Sequence, residues 1–540
     1  MVVPELRAWR AARPRVARVA RAVKPRLARV ARAVKPRARR ITEAARPRVT
    51  RITRVVTPRS GGLTTPQVTA IAVTLGLALA VWTATAAGPW DSSGQRTAER
   101  DRAAAWDREG GTDHGRRTGG ASDAPVAAPS AAPVLAGVGA ATTKSAPLGQ
   151  PLNVVLDRLL GDGSLGPRRT AAVVDVATGR HLYDKGADQA LTPASTTKIA
   201  TAVAVLSAAG TDHRLTTRTV LEPGTDKLVL VGGGDPTLTA RKKTDGWAGL
   251  RTLADRTAAA LKKRHLASVT LSYDTSLFAG EVLHPIGVNP NLAPVTALMV
   301  DEGRTDDSTS GPAPRSADPA ADAARTFGDL LHERGVRTSA PGASGAKASA
   351  RAQTLASVQS PPLSAVVERM LTNSDNDIAE ALARQTAVAT GGQPSFAGGA
   401  AAITDRLRKL GLPLGGAQFH DGSGLDREDK LTAGLLTSLL ASAGSPAHPE
   451  LRPVLTGLPV AGFTGTLSDR YEEAAERSGI GVVRAKTGSL TGVNTLAGTV
   501  VDADGHLLAF AFLTDGSMDQ TSARAALDRT AAALAGCGCR

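Results

Sequence analysis

Apolar residues follow three patterns along the chain. Residues 68–87, VTAIAVTLGLALAVWTATAA, run for 20 positions without a charge. At ~1.5 Å per residue this spans a ~30 Å hydrocarbon core, so a transmembrane helix is expected over 67–88. From 151 onward the texture is globular. LNVVLDRLL (152–160) has the period of an amphipathic helix, and TAAVVDVATGRHLYD (170–184) alternates as a hairpin turning at Thr178-Gly179. The stretch LTPASTTKIATAVAVL then runs into an apolar helix. Thr192 suits its N-cap, Pro193 its first position, and Gly210 its end.

After 215 short strands and loops are expected: KLVLVGGGDPTL, ASVTLSYDTSLF and APVTALMV, followed by a polar, Pro-rich loop at 303–319. Helical periodicity returns at 320–336, 364–390 and 431–443. The chain closes on VNTLAGTVV, the turn DADG, HLLAFAFLT and a helix over 519–535. A helix–hairpin start and a hairpin–helix end imply one antiparallel sheet flanked by helices, an α+β fold. The expected parts are one domain from 151–215 and 351–536, with 216–350 inserted in it.

Charge changes the picture only at the N-terminus. The chain of 540 residues carries +16, but 19 of its 65 Lys/Arg and only two of its 49 acids fall in residues 1–60. The remainder is nearly neutral. The basic tail holds an 11-residue repeat, PRVARVARAVK then PRLARVARAVK, and reads as a disordered arm, or as one lying on anionic lipid. Next to an apolar span, such a tail argues for the cytoplasmic side and against nucleic acid. A cleaved signal peptide is the alternative, since TATAAG offers small residues at a cleavage position. Residues 89–150, rich in Ala, Pro and Gly, are a spacer on the outer side. The two cysteines, Cys537 and Cys539, sit in a terminal CGCR, so an internal disulfide is not expected. The nine histidines show no ligand-like spacing, and neither a metal nor another cofactor is expected.

Three places carry candidate chemistry. Ser195 and Lys198, at i,i+3, share a helix face near an N-terminus that favours negative charge. A serine needs a base, and lysine becomes one only if burial or a second cation lowers its pKa. S-x-x-K alone is weak: Ser344–Lys347 is another copy, with no apolar helix behind it. Ser374 and Asn376, in TNSDN, converge only if the backbone turns there. Lys486, Thr487, Gly488 and Ser489 lie on a strand. Alternation puts Lys486 and Gly488 on one face, and Gly488 leaves room for a ligand backbone.

Taken together, S-x-x-K, S-x-N and K-T-G in this order form the signature of penicillin-interacting serine acyl-transferases. With TPASTTKIATAVAVL, VGGGDPTL, LTNSDNDIAEAL, FHDGSGLDREDKLT and AKTGSLTGVNTLAG, residues 150–535 resemble the D-alanyl-D-alanine carboxypeptidase/endopeptidases of the PBP4-type, peptidase family S13. The third motif reads KTGS where that family commonly has KTGT. The resemblance implies a β-lactamase/penicillin-binding fold. It also implies an acyl-enzyme at Ser195, Lys198 as base with its pKa lowered by Lys486 and burial, Ser374 as proton relay, and Asn376 holding the peptide and Lys198. Lys486 and Thr487 would hold the substrate's terminal carboxylate, beside an oxyanion hole from the N–H groups of Ser195 and Ser489. The implied partners are peptidoglycan stem peptides ending in D-Ala-D-Ala and β-lactams as covalent inhibitors, met by an extracytoplasmic domain on a single-pass anchor. Two alternatives stand: a β-lactamase-like hydrolase, and a non-enzymatic membrane-tethered wall-binding scaffold. His420 reads as a loop residue, and the 421–424 loop borders the site without an assigned step.

Overall fold

The computed structural model describes residues 151–339 and 345–537. The basic tail, the apolar span 67–88 and the linker 89–150 lie outside them. Among the described residues no helix is long and apolar enough to cross a membrane.

The chain opens with α1 (Leu152–Leu159), the hairpin β1 (Arg168–Asp175) and β2 (His181–Lys185), and α2 (Thr197–Ala209). It then leaves for β3 (Thr216–Leu221), β4 (Lys227–Val231), α3 (Leu250–Lys263), β5 (Ser268–Asp274), α4 (Pro319–His332), β6 (Arg337–Ser339) and β7 (Gln353–Gln359). It returns through α5 (Leu363–Asn373), α6 (Asn376–Thr390), α7 (Phe396–Lys409), α8 (Ala433–Gly444) and the short α9 (Arg452–Thr456). The last elements are β8 (Arg484–Leu490), β9 (Val493–Val501), β10 (Leu507–Asp515) and α10 (Gln520–Ala535).

The first and last strands share one antiparallel sheet in the order β2-β1-β10-β9-β8. Alternation along β10 explains how both faces are covered. Leu508, Phe510 and Phe512 point into a core with Leu156, Leu160, Leu527 and Leu534 of the α1 and α10 regions. Ala509, Ala511 and Leu513 point into the other, against α2 and α8 through Ile199, Leu435 and Leu439. Alanines on that face let α8 approach closely, and α2 is packed among α5, α6, α7 and α8. Its residues from Thr197 to Leu206 are all buried, so it is a central helix rather than a surface one.

Residues 216–359 build a second five-stranded sheet, β6-β5-β4-β3-β7. The β4–β5 and β5–β6 pairs are parallel, joined through α3 and α4, and the β3 pairs are antiparallel. Leu228, Leu230, Val269 and Leu271 pack on Leu253, Leu261, Phe327 and Leu331 of the two helices.

Four expectations need correction. Thr192 does not cap α2: its hydroxyl donates to Arg427 O, and a 3-10 turn, Ala194–Thr196, precedes the helix. Strands and loops alone do not fill the middle, because α3 is a 14-residue helix whose Leu250, Leu253, Ala254 and Leu261 bury one face. Residues 293–300 form no strand. The periodic stretch 364–390 is two helices broken at Ser374, and α7 follows where no helix was read.

Candidate active site

The site is built where α2, the α5–α6 break and β8 meet. Ser195 sits in the 3-10 turn before α2, next to Ala194 at φ 48°, a conformation alanine rarely adopts. Two glycines make room for this turn. A Cβ on Gly424 would stand 1.9 Å from Ala194 O, and one on Gly488 would stand 2.7 Å from Pro193 O and 3.1 Å from Ser195 N. Thr495 Oγ1 donates to Pro193 O from β9 at 2.8 Å. The strained serine turn is thus gripped between β8–β9 and the 421–424 loop.

The S-x-N pair converges because the backbone reverses between its members. Ser374 is left-handed, φ 57°, and ends α5; Asp375 caps α6 by accepting from Ile378 N, and Asn376 opens the helix.

Lys198 is fully buried. Its Nζ donates to Asn376 Oδ1 at 2.6 Å and to Ser423 O at 2.7 Å, and lies 3.0 Å from Ser195 Oγ. A neutral amine has two hydrogens and one lone pair. With two acceptors taking the hydrogens, the lone pair is left for the serine O–H. Burial pulls the Lys198 pKa down to about 8, against the opposing pull of Asp421, Glu380, Asp375 and Asp429.

Lys486, also fully buried, donates to Ser374 Oγ at 2.8 Å and to Thr487 O at 2.7 Å. Burial first, and then the charges of Lys198 and Arg470, hold it well below the usual lysine range. The sequence reading made Lys486 the cation that depresses Lys198. The cause on Lys198 is burial, and the repulsion is felt chiefly by Lys486. Thr487 Oγ1 donates to Thr466 Oγ1 at 2.9 Å, and Arg524 donates to Ser489 Oγ at 3.2 Å. Ser195, Ser374, Asn376 and Ser489 line one cleft of about 310 Å³ with Asn291, Thr466, Arg304 and Arg315. All the candidate residues are therefore brought to one place: Thr487 joins them through the Lys486 bond to its carbonyl, and Gly488 through its close approach to Ser195 N.

Beneath Lys198 lies a buried network that sequence reasoning missed. Asp421 accepts from Ser423 N, Gly424 N and Asp426 N, and its Oδ2 is 3.0 Å from His284 Nε2. Burial would raise its pKa, but His284 and these N–H groups outweigh that and bring it to about 2. Burial alone would lower the His284 pKa, yet its bond to Asp421 and the charge of Glu380 raise it. Glu380 accepts from Gly422 N, and burial with the Asp421 charge pushes it to about 7. His284 and three N–H groups take up the oxygens of Asp421, so the His284–Glu380–Asp421 group reads as a brace for the loop that presents Ser423 O to Lys198. DGSG gave the only signal of it in the sequence; nothing marked His284, 137 residues away. Asp421→Ala is expected to cost about 3–5 kcal/mol, because it leaves the buried His284 ring and three N–H groups unpaired. Urea unfolding measures that loss, and an unchanged midpoint would count against the brace.

The chain matches the model of the D-Ala-D-Ala carboxypeptidase 3 (S13) family over residues 152–314 and 308–534. Carboxypeptidase DacB of Mycolicibacterium smegmatis is 38% identical over 387 residues, covering 68% of this chain and 81% of that protein. The D-alanyl-D-alanine carboxypeptidase of Actinomadura sp. (strain R39) is 31% identical over 438 residues, covering 67% of this chain and 80% of that protein. In fold, the chain is similar to penicillin binding protein 4 of Haemophilus influenzae, at a TM-score of 0.57 and 23% identity over 70% of this chain and 98% of that one. The latter protein has also been solved in complex with a β-lactam. The chain belongs to the S13 family of D-Ala-D-Ala carboxypeptidases, with a penicillin-binding, β-lactamase-like fold of antiparallel sheet and flanking helices.

Proposed function

We propose that this protein is a serine-type D-Ala-D-Ala carboxypeptidase acting on peptidoglycan stem peptides through an acyl-enzyme at Ser195, with β-lactams as covalent inhibitors. The observation that carries the reading is the 3.0 Å contact of Ser195 Oγ with a buried Lys198 amine whose two hydrogens are already engaged.

The residues divide the reaction as follows. Ser195 Oγ attacks the carbonyl carbon of the penultimate D-Ala while its proton passes to Lys198 Nζ. The carbonyl oxygen becomes an oxyanion near the N–H groups of Ser195 and Ser489; losing one such donor costs about 2.7–4 kcal/mol in comparable sites. The C–N bond then breaks, and the leaving nitrogen takes a proton through Ser374, which Lys486 orients. Water attacks the ester, returns the hydrogen to Ser195 and releases the shortened peptide. Asn376 Oδ1 holds Lys198 while its Nδ2 donates to Asn291 O at 3.0 Å, which fixes the amide's orientation. Two buried amines are too crowded for both to keep their protons easily. A substrate carboxylate arriving at Thr487 and Ser489 favours the proton on Lys486, and by repulsion its absence from Lys198.

The cross-link endopeptidase reaction uses the same groups on a longer leaving amine. For location, the apolar span 67–88 and the basic segment 1–60 support a single-pass anchor in the cell membrane, with the catalytic domain on the outer side. The test is incubation of the full chain with a D-Ala-D-Ala-terminated muropeptide, followed by mass spectrometry. Free D-alanine is expected; an unchanged muropeptide would overturn the proposal.

A further inference from the structure

A second cavity of about 240 Å³ opens beside the catalytic cleft, between the inserted region and Arg369 of α5, and no step above uses it. Arg304 lines both spaces. The loop after it is the partition: Ser308 and Thr309 face the second cavity, and Gly311 and Pro312 the cleft. Its ends are pinned together by the Arg304–Arg315 bridge and by Thr305 N donating to Pro314 O. In the cleft, Thr466 and Ser489 mark the end where the substrate's terminal carboxylate would bind. Arg304 and Arg315 line the cleft as well, and Arg304 borders the second cavity.

Four cations, Arg241, Lys243, Arg304 and Arg369, and three acids, Asp245, Asp301 and Glu302, line the cavity. Glu302 alone receives both Arg304, at 2.8 Å, and Arg369. Asp301 is taken by Thr239 Oγ1, Ala240 N and Arg241. Lys243 has no ion pair among the described residues, and Arg369 Nε is buried without a hydrogen-bond partner. Arg369 also lies over Trp247, 4.8 Å from the ring centroid, which holds the guanidinium at the cavity wall. Asp301 and Glu302 occupy left-handed conformations, φ 50° and 57°, that place both carboxylates here at a cost in strain.

We propose that this cavity is an accessory subsite for an acidic residue of the same peptide, upstream of its D-Ala-D-Ala end, recognised by Lys243 and Arg369. The inference rests on the carboxypeptidase reading. It makes the inserted region a selector for the length and charge of the acyl side, a role separate from the chemistry at Ser195.

The test compares three substrates on the full chain: diacetyl-L-Lys-D-Ala-D-Ala, the pentapeptide L-Ala-γ-D-Glu-L-Lys-D-Ala-D-Ala, and the same pentapeptide with the D-Glu carboxylate amidated. The wild type is expected to prefer the acidic pentapeptide over its amide. Lys243→Glu, on the exposed rim, is expected to lower kcat/KM for the acidic pentapeptide by about tenfold, through reversal of one partner charge, and to leave the diacetyl tripeptide within about twofold. Lys243→Ala should fall between. Equal losses on all three peptides, or no loss on any, would overturn the subsite while leaving the carboxypeptidase intact. A wild type that cuts none of the three would overturn the function and the subsite together.

Discussion

Ser195→Ala is expected to lower the rate of D-alanine release by more than about a thousandfold and to remove labelling by a fluorescent penicillin, with the fold retained. The side chain is small, and among the described residues the hydrogen-bond partner of its Oγ is Lys198. The strain at Ala194 and the grip of Gly424 and Gly488 on the turn belong to the backbone, so they survive the substitution. Two other serines line the same cleft. Ser374 is held by Lys486, and Ser489 is reached by Arg524. Labelling that persists in Ser195→Ala would place the nucleophile elsewhere. Rapid turnover of the drug by the wild type would instead favour a β-lactamase-like outcome on the same fold, and absence of any adduct would favour a scaffold.

Lys198→Arg is expected to be as damaging, again by about a thousandfold or more. Arginine keeps the positive charge and the donors for Asn376 Oδ1 and Ser423 O. It has no lone pair to offer near neutral pH, so it cannot take the serine proton. If Lys198 served only as a fixed charge or a structural tie, the arginine variant would retain much of the activity. Lys198→Met separates the two effects from the other side: it removes the base together with a buried amine, and leaves two acceptors short of a donor. Its stability is expected to change by only about 1–3 kcal/mol, in contrast with the loss of activity. A Lys198→Met protein that unfolds outright would point to a scaffold role.

The residues of the three motifs were legible because each stretch is short and local. Lys198 inside an apolar helix is anomalous at once, since a buried amine is costly. The antiparallel sheet was legible from its ends, where Leu508, Phe510 and Phe512 alternate with alanines. What escaped the sequence depended on long-range contacts. Ser374 joins Asn376 because the chain passes through a left-handed residue between two helices, a turn that the S-x-N spacing demanded but that apolar periodicity over 364–390 did not mark. His284 reaches Asp421 from the inserted region, and Arg369 reaches Glu302 from α5. In α3, a weakly apolar composition masked a helix whose stability comes from packing on β4 and β5. The N-cap was misread for a related reason: Thr192 was a good local candidate, but Arg427 O captured its hydroxyl.

Everything chemical in this protein turns on whether the Lys198 amine works in its neutral form. The most direct measurement is the rate constant for penicillin acylation of Ser195 between pH 6 and 10, followed by stopped flow and assigned to the residue by peptide mass. Burial lowers the Lys198 pKa to about 8, so the unprotonated fraction, and the rate with it, should rise with pH through a midpoint near that value and then level. A rate that is flat across the range, or that falls as the amine loses its proton, would contradict a lysine base.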